Sequence, residues 1–263
     1  MKKLITLMLA GVMAVSMLAG CGAKKSENTF TVGFDAEFPP YGYRDESGEY
    51  VGFDLDLAAE VAKRNDWELV KQPIDWDAKD MELSSGAIDC IWNGFTINGR
   101  EDQYTWSQPY VDNSQVIVVA NNSGIKTKAD LAGKVVAVQK DSSALAALTD
   151  EENKENIALK DSFKELIEYA DYNTAFMDLE QGAVEAVAID IGVAKYQIEK
   201  REAGAFVMLD EKLATEQYGV GFLLGNEELR DTVQKTLDEM VKDGTFMKIA
   251  EKWGLTDSVC LGK

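Results

Sequence analysis

Ala87-Ile88-Asp89-Cys90-Ile91-Trp92-Asn93-Gly94-Phe95-Thr96-Ile97-Asn98-Gly99-Arg100 is the stretch from which the rest of the chain can be read. A helical pattern beginning at Asp77 stops near Gly86, and the apolar run from Ala87 to Trp92 that follows it predicts a buried strand. The polar segment directly after that strand suits a small ligand. Gly94 allows close backbone approach, Asn93 adds a polar side chain that favours a polar ligand, Thr96 offers an amide and a hydroxyl, and Arg100 presents a planar fork matched to a carboxylate. Open α/β sheets hold ligands just outside the carboxyl ends of their strands, where such segments lie.

The strand and helix alternation continues on both sides. Upstream, residues 29–34 read as a strand, Pro39-Pro40 as a turn, and 54–65 as a helix capped by Asp54, with Leu57, Ala58, Val61 and Ala62 as its apolar stripe. Downstream of Tyr110, strands are predicted at 115–120, 134–139, 166–169, 186–189, 206–209 and 218–224. Helices are predicted at 128–132, from Ser142, and at 173–182, 191–202, 227–243 and 245–253, with Asn173 and Gly182 as caps. The polar stretch 150–156 reads as a solvated loop. Two α/β lobes of similar pattern result, and the cleft between two such lobes is a favoured place for a small ligand.

Three further strand ends carry candidate contacts. Asp35, Glu37, Phe38 and Tyr41 combine carboxylates with aromatic walls. Gln139, Ser142 and Ser143 close a strand and open a helix, so their N–H groups and hydroxyls suit an anion, although Ser142 also fits a plain helix cap. Asp190 ends an apolar strand, where it can either meet an ammonium group or cap the next helix.

Composition limits the chemistry. The chain has no histidine, which excludes Ser-His-Asp and Cys-His catalysis and removes the commonest metal ligand. No metal site and no cofactor is indicated. Cys90 and Cys260 lack zinc-like spacing, and Cys90, inside an apolar run, is better read as a small buried thiol than as half of a disulfide. The formal charge of −19 argues against nucleic acid and anionic lipid as partners.

The amino terminus carries Lys2 and Lys3, an apolar stretch from Leu4 to Ala19, and Leu18-Ala19-Gly20-Cys21. This pattern predicts an export signal over 1–21, too short to span a bilayer, and a polar tether over 22–28. Leu-Ala-Gly-Cys is similar to the lipobox of bacterial lipoproteins, which would lipidate Cys21 and anchor the protein to the outer face of the cell membrane. Removal of the signal would take away two lysines and no acid, leaving the mature chain more acidic still.

Several motifs stand in order along the chain: Val32-Gly33-Phe34-Asp35 with Pro40-Tyr41; Val51-Gly52-Phe53-Asp54-Leu55-Asp56; Gly94-Phe95-Thr96-Ile97 with Arg100; Trp106-Ser107-Gln108-Pro109-Tyr110; Asp130-Leu131-Ala132-Gly133-Lys134-Val135; and Asp243-Gly244-Thr245 through Lys252-Trp253-Gly254. From about Thr29 to Asp257 the chain resembles the family-3 extracellular solute-binding proteins, the amino-acid receptors of ABC importers. That resemblance implies a two-lobed periplasmic-binding-protein fold, type II-like. Its α/β lobes with mixed sheets, 29–112 plus 216–263 and 113–215, would be joined by two hinge crossings near 110–114 and 213–218. It implies that Thr96 and Arg100 grip the α-carboxylate, that the Gly94 carbonyl and Asp190 bind the α-ammonium, that the turn at Ser142 and Ser143 adds N–H groups, and that Asp35 and Phe38 meet the side chain. Two departures stand out: the link from Thr96 to Arg100 is one residue shorter than the family pattern, and Asp141 replaces a glycine.

The expected function is that of a monomeric, lipid-anchored, extracytoplasmic receptor, not an enzyme, that binds a free polar L-amino acid and passes it to an ABC permease and ATPase. The alternatives are an exported lyase of the cyclohexadienyl dehydratase type, with an acid such as Glu37 protonating the leaving group, and a sensory receptor without transport.

Overall fold

A computed structural model describes residues 28–263. The predicted export signal, Cys21 and the tether up to residue 27 lie outside the described residues. The first elements in chain order are β1 (Thr29–Phe34), β2 (Glu37–Phe38), β3 (Gly42–Arg44), β4 (Tyr50–Val51), α1 (Phe53–Arg64), β5 (Glu68–Pro73), α2 (Lys79–Ser85), β6 (Cys90–Thr96), β7 (Thr105–Trp106) and β8 (Val111–Ala120). There follow β9 (Val135–Gln139), α3 (Ser143–Thr149), α4 (Lys154–Ser162), β10 (Glu165–Tyr169), α5 (Tyr172–Gln181), β11 (Ala186–Asp190) and α6 (Ile191–Glu199). The chain closes with β12 (Phe206–Met208), β13 (Ala214–Phe222), α7 (Glu227–Lys242) and α8 (Thr245–Lys252).

One path of hydrogen-bonded strands runs β10-β9-β11-β8-β13-β6-β1-β5. Parallel pairs make up its two ends, β5 and β6 on β1 and β10 and β11 on β9. The long antiparallel strands β8 and β13 join them. The start of β13 pairs with the start of β8, Ala214 opposite Gln115 through Tyr218 opposite Val111. The far end of β13 then joins β6, while the far end of β8 joins β11 and β12. These two strands are the crossings between the halves of a two-lobed α/β fold with mixed sheets.

The residues of β6 are buried from end to end, as a central strand covered on both faces demands. α1 lays Leu57, Ala58, Val61 and Ala62 against the sheet, each of them buried. One core runs through Val32, Trp92, Tyr110 and Leu237, and a separate one through Ile117, Val136, Leu148 and Ala188 on the other half.

Several sequence expectations shift. Asp54 does not cap α1: Gly52 is its N-cap, and the Asp54 carboxylate turns inward, accepting from the Gly94 amide at 2.6 Å and the Tyr110 hydroxyl at 2.8 Å. Asn173 is not the cap of α5 either, because Asp171 accepts from the Thr174 amide in that role. The solvated loop expected at 150–156 ends at Asn153, where α4 (Lys154–Ser162) begins, with Asn156 buried and donating to Ala147 and Leu213 carbonyls. The polar composition of α4 hid its helical character. The strand expected at 87–92 instead spans Cys90–Thr96, so the first four residues of the polar segment expected to follow it belong to the strand. Cys90 is buried within it.

Candidate functional site

The ends of β1, β6, β9 and β11 converge where the halves meet, and side chains bridge the cleft. Gln139, the last residue of β9, donates through Nε2 to Asp35 Oδ2 at 2.7 Å, just past β1. Arg100 donates through Nη1 to Ser143 Oγ at 3.1 Å. Asn173 donates to Glu37, and Lys79 pairs with Asp141. Gly192, in the first turn of α6, lies so close to Tyr41 that a Cβ there would sit 2.4 Å from the phenol oxygen.

Arg100 forms a cationic pole. Its amide donates to the Ile97 carbonyl at 2.9 Å, and Nη1 turns back to the Thr96 carbonyl at 3.3 Å. The shorter link is thus absorbed as a tight turn, and the fork still reaches the opposite half. The Trp106 indole N–H holds the Arg100 carbonyl at 2.9 Å. Ser142 uses its hydroxyl as the cap of α3, accepting from the Leu145 amide at 3.2 Å, which leaves the Ser143 hydroxyl to meet Arg100. Asp141 adopts a left-handed φ of 53°, a conformation that glycine takes freely, and its carboxylate is offset by Lys79.

Asp190 forms an anionic pole. It is the N-cap of α6 but makes no side-chain cap bond; Oδ1 instead accepts from Asn113 Nδ2 and Gln115 Nε2, each at 2.7 Å, and from the Tyr218 hydroxyl. Burial, followed by the charge of Glu216, raises its pKa above the ordinary carboxylate range. Thr96 lies between the poles, taking Arg100 on its carbonyl and donating through Oγ1 to Glu216 Oε1 at 2.9 Å. Gly94, with φ of 57°, has no room for a side chain, since a Cβ would stand 2.9 Å from the Phe38 ring and 3.0 Å from that of Tyr218.

A cleft of about 580 Å³ opens beyond these groups, lined by Asp35, Glu37, Asp75, Asp77, Glu82 and Asp171 against Lys140. Burial raises Asp35 to about 6, with the Glu37 amide and Gln139 opposing it. Glu37 is raised as well, by burial and then by Asp171. The Phe38 ring centroid is 5.8 Å from Tyr41 and 6.1 Å from Tyr172. Asn93 accepts the Asp35 amide on Oδ1, and its buried Nδ2 has no partner.

Of the residues singled out from the sequence, Asp35 and Glu37 line this cleft, Gln139 and Ser143 reach Asp35 and Arg100 from the opposite half, Asn93 holds the Asp35 amide, and Thr96 and Asp190 lie in the buried hydrogen-bonded cluster behind it. Sequence reasoning missed Asn113, Gln115, Glu216, Tyr218, Lys79 and Asp171. A period-two signal was available for four of them: Asn113 and Gln115, and likewise Glu216 and Tyr218, are alternate residues on one strand face.

The family model for bacterial extracellular solute-binding proteins, family 3, matches residues 30–256. The L-cystine-binding protein of Escherichia coli strain K12 is 31% identical over 259 residues, covering 93% of this chain and 94% of that one. The histidine-binding periplasmic protein of the same strain is 32% identical over 264 residues, covering 96% and 97%. Among solved structures, a substrate-binding protein of an ABC uptake transporter from Streptococcus pneumoniae with bound histidine is 35% identical with a TM-score of 0.82, covering 87% of this chain and 93% of that one. These relatives are named as binding proteins, not as enzymes.

Proposed function

This chain belongs to the family-3 bacterial extracellular solute-binding proteins, and from that premise we propose that it is an extracytoplasmic receptor that closes over a free, polar L-amino acid and delivers it to an ABC importer. The observation that carries the reading is the pair of poles. A guanidinium and a carboxyl free of capping duty, linked through Thr96, Glu216 and the Asn113 and Gln115 amides, match the carboxylate and ammonium of a zwitterion, and each pole draws on both halves of the protein, Arg100 through Ser143 and Asp190 through Tyr218.

In this reading the α-carboxylate sits on the Arg100 fork, and the ammonium meets Asp190 and the Gly94 carbonyl. The side chain runs past Phe38 and Tyr41 toward Asp35, Glu37 and Asn93, with Gln139 holding Asp35. The acidic lining favours a cationic or amide side chain, since a carboxylate there would meet like charge. The relatives named for cystine, histidine, and lysine, arginine and ornithine fit a polar cargo. Ligand binding joins the halves and shifts an open–closed equilibrium by its greater affinity for the closed form. The lobe boundaries fall within β8 and β13, giving 29–112 plus 216–263 and 113–215. The working unit is a monomer tethered by lipid on Cys21, and its partners are a permease and an ATPase.

Thermal unfolding of residues 24–263, stripped of carried-over ligand, against the common amino acids and cystine tests this. Ligand at about one hundred times its Kd stabilises the fold by about 2.7 kcal/mol. A selective rise in Tm that Arg100→Ala abolishes is expected; no response to any amino acid refutes the reading.

A further inference from the structure

Glu216 lies on the crossing strand β13, directly opposite Asn113 on β8, and is buried. Its Oε1 accepts from Asn113 Nδ2 at 2.6 Å, Gln115 Nε2 at 2.7 Å and Thr96 Oγ1 at 2.9 Å. The first two donors also serve Asp190, each at 2.7 Å. Each amide NH2 has two hydrogens, and here one goes to each carboxyl. The Tyr218 hydroxyl proton goes to Asp190 and the Thr96 hydroxyl proton to Glu216. Every side-chain donor of Asn113, Gln115, Thr96 and Tyr218 is thereby committed.

The acceptors are not. Asn113 Oδ1 and Gln115 Oε1 are buried without any hydrogen-bond partner, and each is an amide oxygen able to take hydrogens. The groups acting most strongly on Asp190 are Glu216, Tyr218, Gln115 and Asn113, none of them a cation. Two buried carboxyls and two idle amide oxygens, with only the single unpartnered hydroxyl of buried Tyr172 within reach of their charge, form a cluster short of a positively charged group bearing several hydrogens.

We propose that Glu216 is a specificity-determining residue for the ligand's α-ammonium: a second carboxylate that takes the Thr96 hydroxyl proton, so that Thr96 turns its lone pairs to the ligand and the pole presents acceptors only. This rests on the amino-acid-receptor reading and deepens it. It reassigns the Thr96 hydroxyl from the carboxylate end to the ammonium end, since a hydroxyl whose proton is held by a carboxylate can only accept from its next neighbour. Because Glu216 and Asn113 face each other across the two crossings, the ammonium is read at the point where the halves join.

The test compares ligands with and without the α-ammonium: L-arginine against 5-guanidinopentanoate, and L-histidine against imidazolepropionate, titrated calorimetrically into the wild-type protein, Glu216→Gln and Thr96→Val. The wild type prefers the amino acid in at least one pair. Glu216→Gln, which brings an NH2 into the cluster, is expected to shrink that preference at least tenfold. Thr96→Val shrinks it through loss of the hydroxyl and leaves the crossing strand untouched, so it carries the test if the Glu216 variant does not fold. A structural role alone would weaken both members of a pair equally, and an unchanged ratio in the variants overturns the proposal while leaving the receptor reading in place. Binding of no amino acid by the wild type overturns both.

Discussion

Asp141→Gly separates the stability of the protein from its affinity. Asp141 is held at a φ of 53°, a conformation costing an L-residue roughly 1 kcal/mol, which glycine adopts freely. Glycine also gains freedom in the unfolded chain, so the net stabilisation of the ligand-free protein is about 0.5 kcal/mol, a rise in Tm of about 1–2 °C for a domain this size. Closure has the opposite sign. Asp141 is the partner of Lys79 across the cleft, and the lysine side chain is only 2% exposed while the aspartate is 51% exposed. Losing the partner of a buried cation costs several kcal/mol, whereas exposed pairs contribute under about 1, so a half-exposed pair places the loss at about 1–2 kcal/mol. Ligand affinity is expected to fall about 5- to 30-fold. Calorimetric titration with the ligand identified by thermal shift, beside a melt of the stripped protein, measures both quantities. A Kd within twofold of wild type would refute the idea that this ion pair belongs to the closed form.

Two further outcomes are expected. The Asp35 carboxyl is raised by burial from 3.8 to about 6, so between those values the folded protein holds a proton the unfolded chain has released, and stability falls as pH rises through that window. Asp35→Asn should therefore stabilise the stripped protein by about 2 kcal/mol at pH 8 and by almost nothing at pH 4 in urea unfolding; an equal difference at both would exclude burial of the charge as the cause. Gly192→Ala places a Cβ 2.4 Å from the Tyr41 phenol oxygen, overpacking the closed cleft and weakening affinity about tenfold, and Tyr41→Phe should restore part of it; a double variant no better than the single one would argue against this steric account.

Local pattern reached the poles of the site but not their wiring. Arg100 and Asp190 were legible because each follows an apolar run, and the chemistry of a strand end depends on its own few residues. Asp54 was misread for a related reason: its position before an apolar stripe is that of a cap, and only the approach of Gly94 and Tyr110 shows why it faces inward. Likewise Asp141 stood out in the sequence only as a replacement of the family's glycine, and its counter-ion Lys79 lies 62 residues away.

The sequence by itself determined the α/β alternation, the two similar lobes and the acidic character of the chain, because periodicity and charge are properties of neighbouring residues. Tertiary structure alone decided which polar groups share hydrogens. Thr96 and Glu216 are 120 residues apart and Asn113 and Asp190 are 77, yet the pairing of β13 with β6 and of β8 with β11 sets them within hydrogen-bond reach. No local pattern encodes such contacts: a buried carboxyl finds its donors through strand register across the crossings.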